Sequence, residues 1–258
     1  MRRMLSRALP VAAGAALLLA LAGCGSGGSD DSASDSAPGT STSASASSGA
    51  SSGAASASSS ASSSASSSSG GGQCTYATDP NGASKKVSPP PSTPTVKGQV
   101  KATIDTSVGA LHVTLDAAKA PCTVNSFVSL AKQGFYDQTS CHRLGAVPGF
   151  EMLQCGDPTG TGMGGPGYTV PDEYDGTEKY PAGTLAMANT GQPNSGGSQF
   201  FMVYGKTQLD PAYTVFGKLD AASIKTLEKV GAAGTDNSEA QGVGKPKEKV
   251  TFTKVTID

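Results

Sequence analysis

Alternation of apolar and polar residues predicts β-strands in the second half of the chain. Residues 101–106 and 110–115 both alternate, and the turn residues 107–109 between them predict a hairpin. Shorter apolar runs separated by glycine turns follow as far as residue 217, and residues 249–257 alternate again. The pattern therefore predicts a mainly β fold built from many short antiparallel strands.

Apolar residues spaced by three and four predict two helices. Residues 124, 127, 128 and 131 lie on one helical face, and Pro121 suits the first turn of a helix. Residues 221–230 show a second face of this kind. Short antiparallel strands with two helices favour a closed barrel whose ends are covered by the helices.

The first 72 residues show neither pattern. Arg2 and Arg3 precede an apolar run that is too short to favour a membrane span, as in an export signal over residues 1–23. The sequence Leu-Ala-Gly-Cys that ends at Cys24 resembles the bacterial lipoprotein box, in which the cysteine thiol is lipidated; an ordinary secretory signal is the alternative. Residues 24–72 are almost all Ser, Ala and Gly, which predicts a disordered tether spanning ~35–40 Å. We therefore expect an exported protein, anchored by lipid to the outer face of the cytoplasmic membrane.

The rest of the chain is one domain's length, with a Pro-rich arm over residues 73–98 and the predicted barrel over residues 99–258. A net charge of −1 and the lack of a basic run argue against nucleic acid as a partner. Four cysteines follow the tether, at positions 74, 122, 141 and 155, and in an exported domain they permit two disulfides in any of three connectivities. No pair has the short spacing of a zinc site, so we expect no metal.

Two short motifs suggest other chemistry but lack what that chemistry needs. Residues 195–197 read Ser-Gly-Gly, as around a trypsin-like nucleophile, but His112 and His142 are the only candidate bases and the chain is too short for two barrels. The glycines of residues 160–167 could form a phosphate loop, but no Gly-Lys-Ser/Thr ending and no helix pattern follow. We expect these glycines to serve tight turns.

The stretch at residues 187–201, MANTGQPNSGGSQFF, resembles the central signature of the cyclophilin peptidyl-prolyl isomerases. Four more segments resemble the family and follow its order: APCTVNSF (120–127), HR (142–143), QCGDPTGTG (154–162) and TVFGK (214–218). The resemblance covers about residues 99–258. It implies a cyclophilin-like fold, a closed eight-stranded antiparallel β-barrel capped by two α-helices, with substrate bound on the outer face.

The reaction that the resemblance implies is rotation about an X-Pro peptide bond, which amide resonance resists by ~18–20 kcal/mol. No bond breaks, so we expect no nucleophile, metal or cofactor. The site needs an apolar pocket for the proline ring and a donor that binds the twisted amide better than the planar one. By resemblance, Arg143 is this donor and Gln154 orients it.

The resemblance also implies the residues that bind the substrate. Met152, Phe201 and Leu209 would line the proline pocket. Ala188 and Asn189 would offer backbone groups to the peptide, Gly162 would leave room for it, and Gln199 would contact its carbonyl. Tyr213 falls where the family often has histidine. His142 neighbours Arg143 on a strand and should point to the other face. The expected partners are proline-containing peptides and unfolded exported proteins, bound by a monomer. The alternative is a non-catalytic proline-peptide-binding chaperone or scaffold on the same fold.

Three departures from the family pattern matter. The chain has no tryptophan, and Gln208 stands where eukaryotic members carry one, which weakens any expectation of tight cyclosporin binding. The loop over residues 145–149 is longer than the family's turn. Glu151 occupies the place of a pocket phenylalanine, so either a bulge returns Phe150 to the pocket or an acid lies at its rim. We favour the bulge, because an unpaired carboxylate there is costly.

The same strand register predicts the disulfides. If Arg143 and Gln154 face one groove, Cys141 and Cys155 should point to opposite faces of the hairpin. We therefore expect each of them to pair with Cys74 or Cys122.

Overall fold

The structure is a computed structural model that describes residues 72–258. The predicted signal peptide (1–23), the lipidation site Cys24 and all but the last residue of the tether lie outside the described residues. The elements are β1 (Thr78–Ala83), β2 (Gln99–Thr106), β3 (Gly109–Asp116), α1 (Pro121–Lys132), β4 (Thr139–Ser140), β5 (Arg143–Val147), β6 (Phe150–Cys155), β7 (Pro166–Tyr168), β8 (Thr184–Met187), β9 (Phe200–Val203), β10 (Val215–Leu219), α2 (Ala221–Ala233), β11 (Val243–Gly244) and β12 (Thr251–Ile257).

Ten of these strands form one antiparallel sheet, in the order β11-β5-β6-β9-β8-β10-β3-β2-β12-β4. The prediction of a mainly β fold with two helices is confirmed. The prediction of a closed eight-stranded barrel is wrong, because the sheet has ten strands and its end strands β11 and β4 do not pair with each other. Only Cys141 and His142 separate β4 from β5. There the chain leaves β12 and joins β6: Cys141 N donates to Val250 O (2.9 Å), and His142 N donates to Gln154 O (3.2 Å). The sheet curls round at this kink without closing by strand pairing.

The core lies inside the curled sheet and under the two helices. Phe127 of α1 packs against the rings of Tyr136, Phe200 and Phe216, with centroids 5.1–5.7 Å apart. All four rings are buried, and burying a side chain of this size contributes ~1.5–3 kcal/mol. The second helix begins at Asp220, whose carboxylate accepts a hydrogen bond from Ser223 N (2.7 Å). Within residues 72–258, both helices fall short of the length and apolarity that a bilayer crossing demands.

The N-terminal arm is folded against α1. Asn125, buried on this helix, donates to Pro91 O (2.8 Å) and to the Tyr76 hydroxyl (3.1 Å) and accepts from Thr95 N (2.9 Å). A disulfide joins Cys74 to Cys122. The arm also supplies β1, which pairs with β7 in a separate two-stranded sheet that the sequence pattern did not predict.

The predicted disulfide connectivity is wrong. The bridges are Cys74–Cys122 and Cys141–Cys155. The prediction assumed an unbroken strand through Cys141, in which alternation would turn this side chain away from Cys155. Because the chain kinks between β4 and β5, alternation does not extend to Cys141, and both sulfur atoms lie in the core.

Candidate active site

The hairpin of β5 and β6 carries the predicted donor and the predicted pocket face. Its register runs without a shift from Arg143 opposite Gln154 to Val147 opposite Phe150. The expected long loop is mostly strand, and Pro148 and Gly149 alone form the turn, with Gly149 at a φ of 88°. Since side chains alternate along a strand, Phe150 shares a face with Gln154 without the bulge that we expected.

Glu151 lies on the opposite face of β6 from the pocket. Its carboxylate accepts a hydrogen bond from Lys206 N (2.6 Å), and its backbone N–H donates to Thr207 Oγ1 (3.0 Å). The Glu151 carboxylate is therefore hydrogen-bonded to the neighbouring loop, and Phe150 lies beside the cavity instead.

A second apolar cluster, separate from the core, covers the outer face of the sheet. Its buried members include Met152 and Phe201, and Phe150, Leu209 and Tyr213 pack against them. The ring of Tyr213 meets Phe201 edge to face at 5.3 Å between centroids. Burial of these side chains gives the outer face a preformed apolar wall.

This wall bounds a cavity of about 600 Å³. Every residue predicted for the site lines it except Gln199. The lining also includes side chains that sequence reasoning did not assign to the site: His142, Thr161, Ser238, Glu239 and Lys245. The last three come from the connection between α2 and β12, which has no apolar periodicity and holds no recognised motif.

Arg143 is held at the cavity by two contacts. Its Nε donates to Glu239 Oε2 at 2.7 Å, and its guanidinium carbon lies 5.1 Å from the centroid of the Phe150 ring. Gln154 does not hydrogen-bond to Arg143, and its expected role of orienting Arg143 stays a prediction. Its side-chain amide instead donates to Gln199 Oε1 (2.9 Å), so its contacts order the neighbouring loop.

Gln199 does not line the cavity but connects Gln154 to the glycine-rich loop. Its side-chain nitrogen donates to Gly162 O (2.8 Å) and Gly164 O (3.0 Å), and its backbone carbonyl accepts from Ala188 N (3.0 Å). The N–H of Ala188 is therefore already used and cannot bind a peptide. Asn189 lines the cavity, while its side-chain amide donates to Ala212 O (2.8 Å).

The glycine-rich loop is folded around a buried carboxylate. Asp157 accepts hydrogen bonds from the backbone N–H groups of Thr159 (2.7 Å), Thr161 (3.0 Å) and Gly162 (2.7 Å). Burial alone would raise the pKa of Asp157, but the hydrogen bonds from Thr159 and the following residues outweigh it and lower the pKa. The backbone N–H groups that a phosphate would need are thus already bonded to Asp157. This agrees with the role in tight turns that we expect for these glycines.

His142 faces the cavity, contrary to the expectation that it points away. It lies at the kink between β4 and β5, where strand alternation no longer applies. A Cβ on Gly162 would come within 3.4 Å of His142 Cδ2, so the two residues are in close contact. Burial lowers the pKa of His142 and outweighs the opposing influence of Asp157, Glu239 and the Gln199 side chain.

An apolar groove with an arginine at its rim, on the outer face of a curled antiparallel sheet with two helices, defines a cyclophilin-like domain. Residues 101–257 match the family model for cyclophilin type peptidyl-prolyl cis-trans isomerase/CLD, and the chain belongs to this family.

Two mycobacterial proteins resemble the chain over more than this segment. A probable peptidyl-prolyl cis-trans isomerase B of Mycobacterium tuberculosis is 45% identical over 203 residues, which are 73% of this chain and 65% of the relative. The protein of the same name from Mycobacterium leprae is 42% identical, over 73% of this chain and 68% of its own length. The match thus spans about two thirds of the mycobacterial chains.

Solved structures with the same fold cover most of the described domain. The crystal structure of a cyclophilin type peptidyl-prolyl cis-trans isomerase from Cryptosporidium parvum is 34% identical, with a TM-score of 0.54 over 62% of this chain and 98% of that one. A second structure of that protein, in the presence of the dipeptide Ala-Pro, gives a TM-score of 0.53 over 61% of this chain and 98% of that one.

Proposed function

We propose that the protein is a peptidyl-prolyl cis-trans isomerase that accelerates rotation of X-Pro bonds in exported or cell-surface proteins. The observation that carries the proposal is the placement of Arg143 beside a preformed apolar wall, with both lining one cavity of about 600 Å³. That volume is in the range that binds small ligands or a short stretch of peptide. The names of the mycobacterial relatives support the same activity.

The wall and the arginine supply what the rotation requires. Met152, Phe201 and Leu209 would hold the proline ring, which leaves the peptide on its amino side free to turn. As the amide twists, the prolyl nitrogen regains its lone pair, and the Arg143 guanidinium can donate a hydrogen bond to it. This contact is absent from the planar ground state, so it lowers the barrier rather than only tightening binding. Each ~1.4 kcal/mol of such differential binding gives a tenfold faster rate.

A coupled assay of proline-peptide isomerisation tests the activity. We expect the wild-type protein to accelerate the reaction, and Arg143→Ala to lower kcat/KM by about a hundredfold, the scale of losing one preorganised donor. Unfolding midpoints of both proteins control for misfolding. No acceleration by the wild type would overturn the proposal, and peptide binding without acceleration would instead support a proline-peptide-binding chaperone. Equal rates for the two proteins would overturn only the role of Arg143.

We also propose that the protein works outside the cytoplasmic membrane, anchored by a lipid on Cys24, and assists the folding of exported proteins. The signal-like residues 1–23 and the Ser/Ala/Gly tether support this location. Disulfides persist in oxidising compartments, and both bridges of the domain agree with export. Fatty-acid labelling of wild type and Cys24→Ala tests the anchor: we expect label and membrane association only in the wild type. Label in both proteins, or in neither, would contradict it.

A further inference from the structure

The connection between α2 and β12 forms a closed loop at the cavity; residues 234–246 are called here the Glu239 segment. At its base, Thr235 bridges Pro246, and Asp236 Oδ1 accepts from Ser238 N (3.0 Å) and Lys245 N (2.8 Å). Nearer its tip, Ala240 N donates to Val243 O (3.2 Å), and Val243 N donates to Ala240 O (2.9 Å). These bonds give the segment a defined shape of its own.

The Glu239 segment is attached to the strand that begins with Arg143. Its strand β11 pairs with β5, with Val243 opposite Gly145, and Ala146 N donates to Gly242 O (2.8 Å). Gly242 has a φ of 72°, and a Cβ there would collide with Val147 Cγ1, so the close approach requires glycine. The sheet thereby fixes the distance between Glu239 and the guanidinium.

The contact between the two residues uses only one nitrogen of the guanidinium. Arg143 Nε donates to Glu239 Oε2 at 2.7 Å, while the Phe150 ring lies against the guanidinium at 5.1 Å. Among residues 72–258, no acceptor takes a hydrogen bond from the two terminal nitrogens of Arg143. The Arg143 side chain is therefore held at Nε and against the Phe150 ring. Its two terminal nitrogens can still donate to a ligand in the cavity.

We propose that Glu239 is a positioning residue for the reaction, acting through Arg143. The inference rests on the proposed isomerase function and extends it to a segment outside the five motifs. An arginine side chain loses much rotational freedom when it is fixed, and here that loss occurs before a peptide binds. A donor that is already in place need not reorganise as the amide twists, so the full free energy of its contact with the prolyl nitrogen lowers the rotation barrier. The carboxylate thus acts on the rotation step without touching the substrate.

A double-mutant cycle on the full chain tests this role. We expect Glu239→Gln to lower kcat by about three- to tenfold, because a partly exposed ion pair contributes little free energy. It should change KM by less than about twofold, because the carboxylate does not touch the substrate. Glu248→Gln makes the same chemical change at an exposed position of the same connection and should leave kcat unaltered. In an Arg143→Ala background, Glu239→Gln should have no further effect. Equal losses in both backgrounds would overturn the proposal, and so would a gain in kcat, which would mean that the carboxylate competes with the substrate.

A spectroscopic measurement separates this proposal from the activity itself. In the wild type, the Arg143 Nε–H should give a distinct ¹⁵N-edited NMR signal protected from solvent exchange, and Glu239→Gln should weaken that protection. Gly242→Ala should do the same while Glu239 remains, because it displaces the segment from Val147. If the wild type is inactive but the Nε–H is protected by Glu239, the isomerase proposal fails while the orientation stands. An unprotected Nε–H in the wild type would overturn the positioning role.

Discussion

Removal of the Cys141–Cys155 disulfide should lower both stability and activity. The two sulfur atoms lie in the core, next to the paired residues Arg143 and Gln154. The bridge joins residues with a sequence separation of 14, for which the loss of unfolded-chain entropy predicts a stabilisation of about 3 kcal/mol. Without it, the kink between β4 and β5 loses its covalent link to β6, so the strand that carries the donor should become less ordered.

The Cys74–Cys122 disulfide provides a matched control. It closes a longer loop, with a sequence separation of 48, so the same reasoning predicts a larger stabilisation of about 4 kcal/mol. It joins the N-terminal arm to α1, and neither cysteine lines the cavity. Its removal should therefore cost more stability and less activity than removal of the bridge beside the site.

Two double variants, Cys141→Ala/Cys155→Ala and Cys74→Ala/Cys122→Ala, separate these effects. In a domain of this size, a loss of 3 kcal/mol should lower the thermal midpoint by roughly 6–12 °C. Isomerisation is then measured well below both midpoints, where each variant is folded. We expect kcat/KM to fall by about fivefold or more in the first variant and to stay within about twofold in the second. A larger activity loss in the Cys74→Ala/Cys122→Ala variant would refute the reasoning.

Three single substitutions test other parts of the site. Glu151→Gln should keep full isomerase activity and cost ~1 kcal/mol in urea unfolding, since the carboxylate meets Lys206 N on the face away from the cavity; a large activity loss would contradict that placement. Burial lowers the pKa of His142, so the unfolded chain binds its proton more readily and stability should fall as the pH drops below about 6.5. His142→Asn should flatten this dependence in midpoints measured from about pH 5 to 8, and an unchanged slope would show that another group titrates. Asp157→Asn should cost ~1–3 kcal/mol, because the bonds from Gly162 and its neighbours lose a charged acceptor; an unchanged unfolding midpoint would contradict the ordering role of the carboxylate.

Local pattern was enough to predict the helices and the first hairpin. Pro121 and the apolar positions of α1 predict a helix that the structure has at Pro121–Lys132, because a proline start and a continuous buried face act within the helix itself. The hairpin of β2 and β3 follows equally from alternation. The motif resemblance also led to residues that the structure brings to one cavity, although their roles in binding and catalysis stay predictions.

Features that depend on where the chain passes from one neighbouring strand to another could not be predicted from the sequence. The assumption that side chains alternate along an unbroken strand led to the wrong disulfide partner for Cys141 and the wrong face for His142. Both residues lie at the kink, where hydrogen bonding passes from β12 to β6. Glu239 was missed because its segment has no periodic pattern. Its only local signals are the turn residues Asp236 and Asn237, which indicate a compact loop but not its neighbour in space.

The N-terminal arm makes the folding unit larger than the segment that the family model matches. That segment begins at residue 101, yet Asn125 on α1 receives its hydrogen-bond partners from residues upstream, and β7 has its only strand partner among residues 72–258 in β1. A fragment cut at the family boundary would leave a buried amide unsatisfied and Cys122 without its bridge. The arm is thus a structural part of this domain, joined to α1 through Cys74 and to β7 through β1.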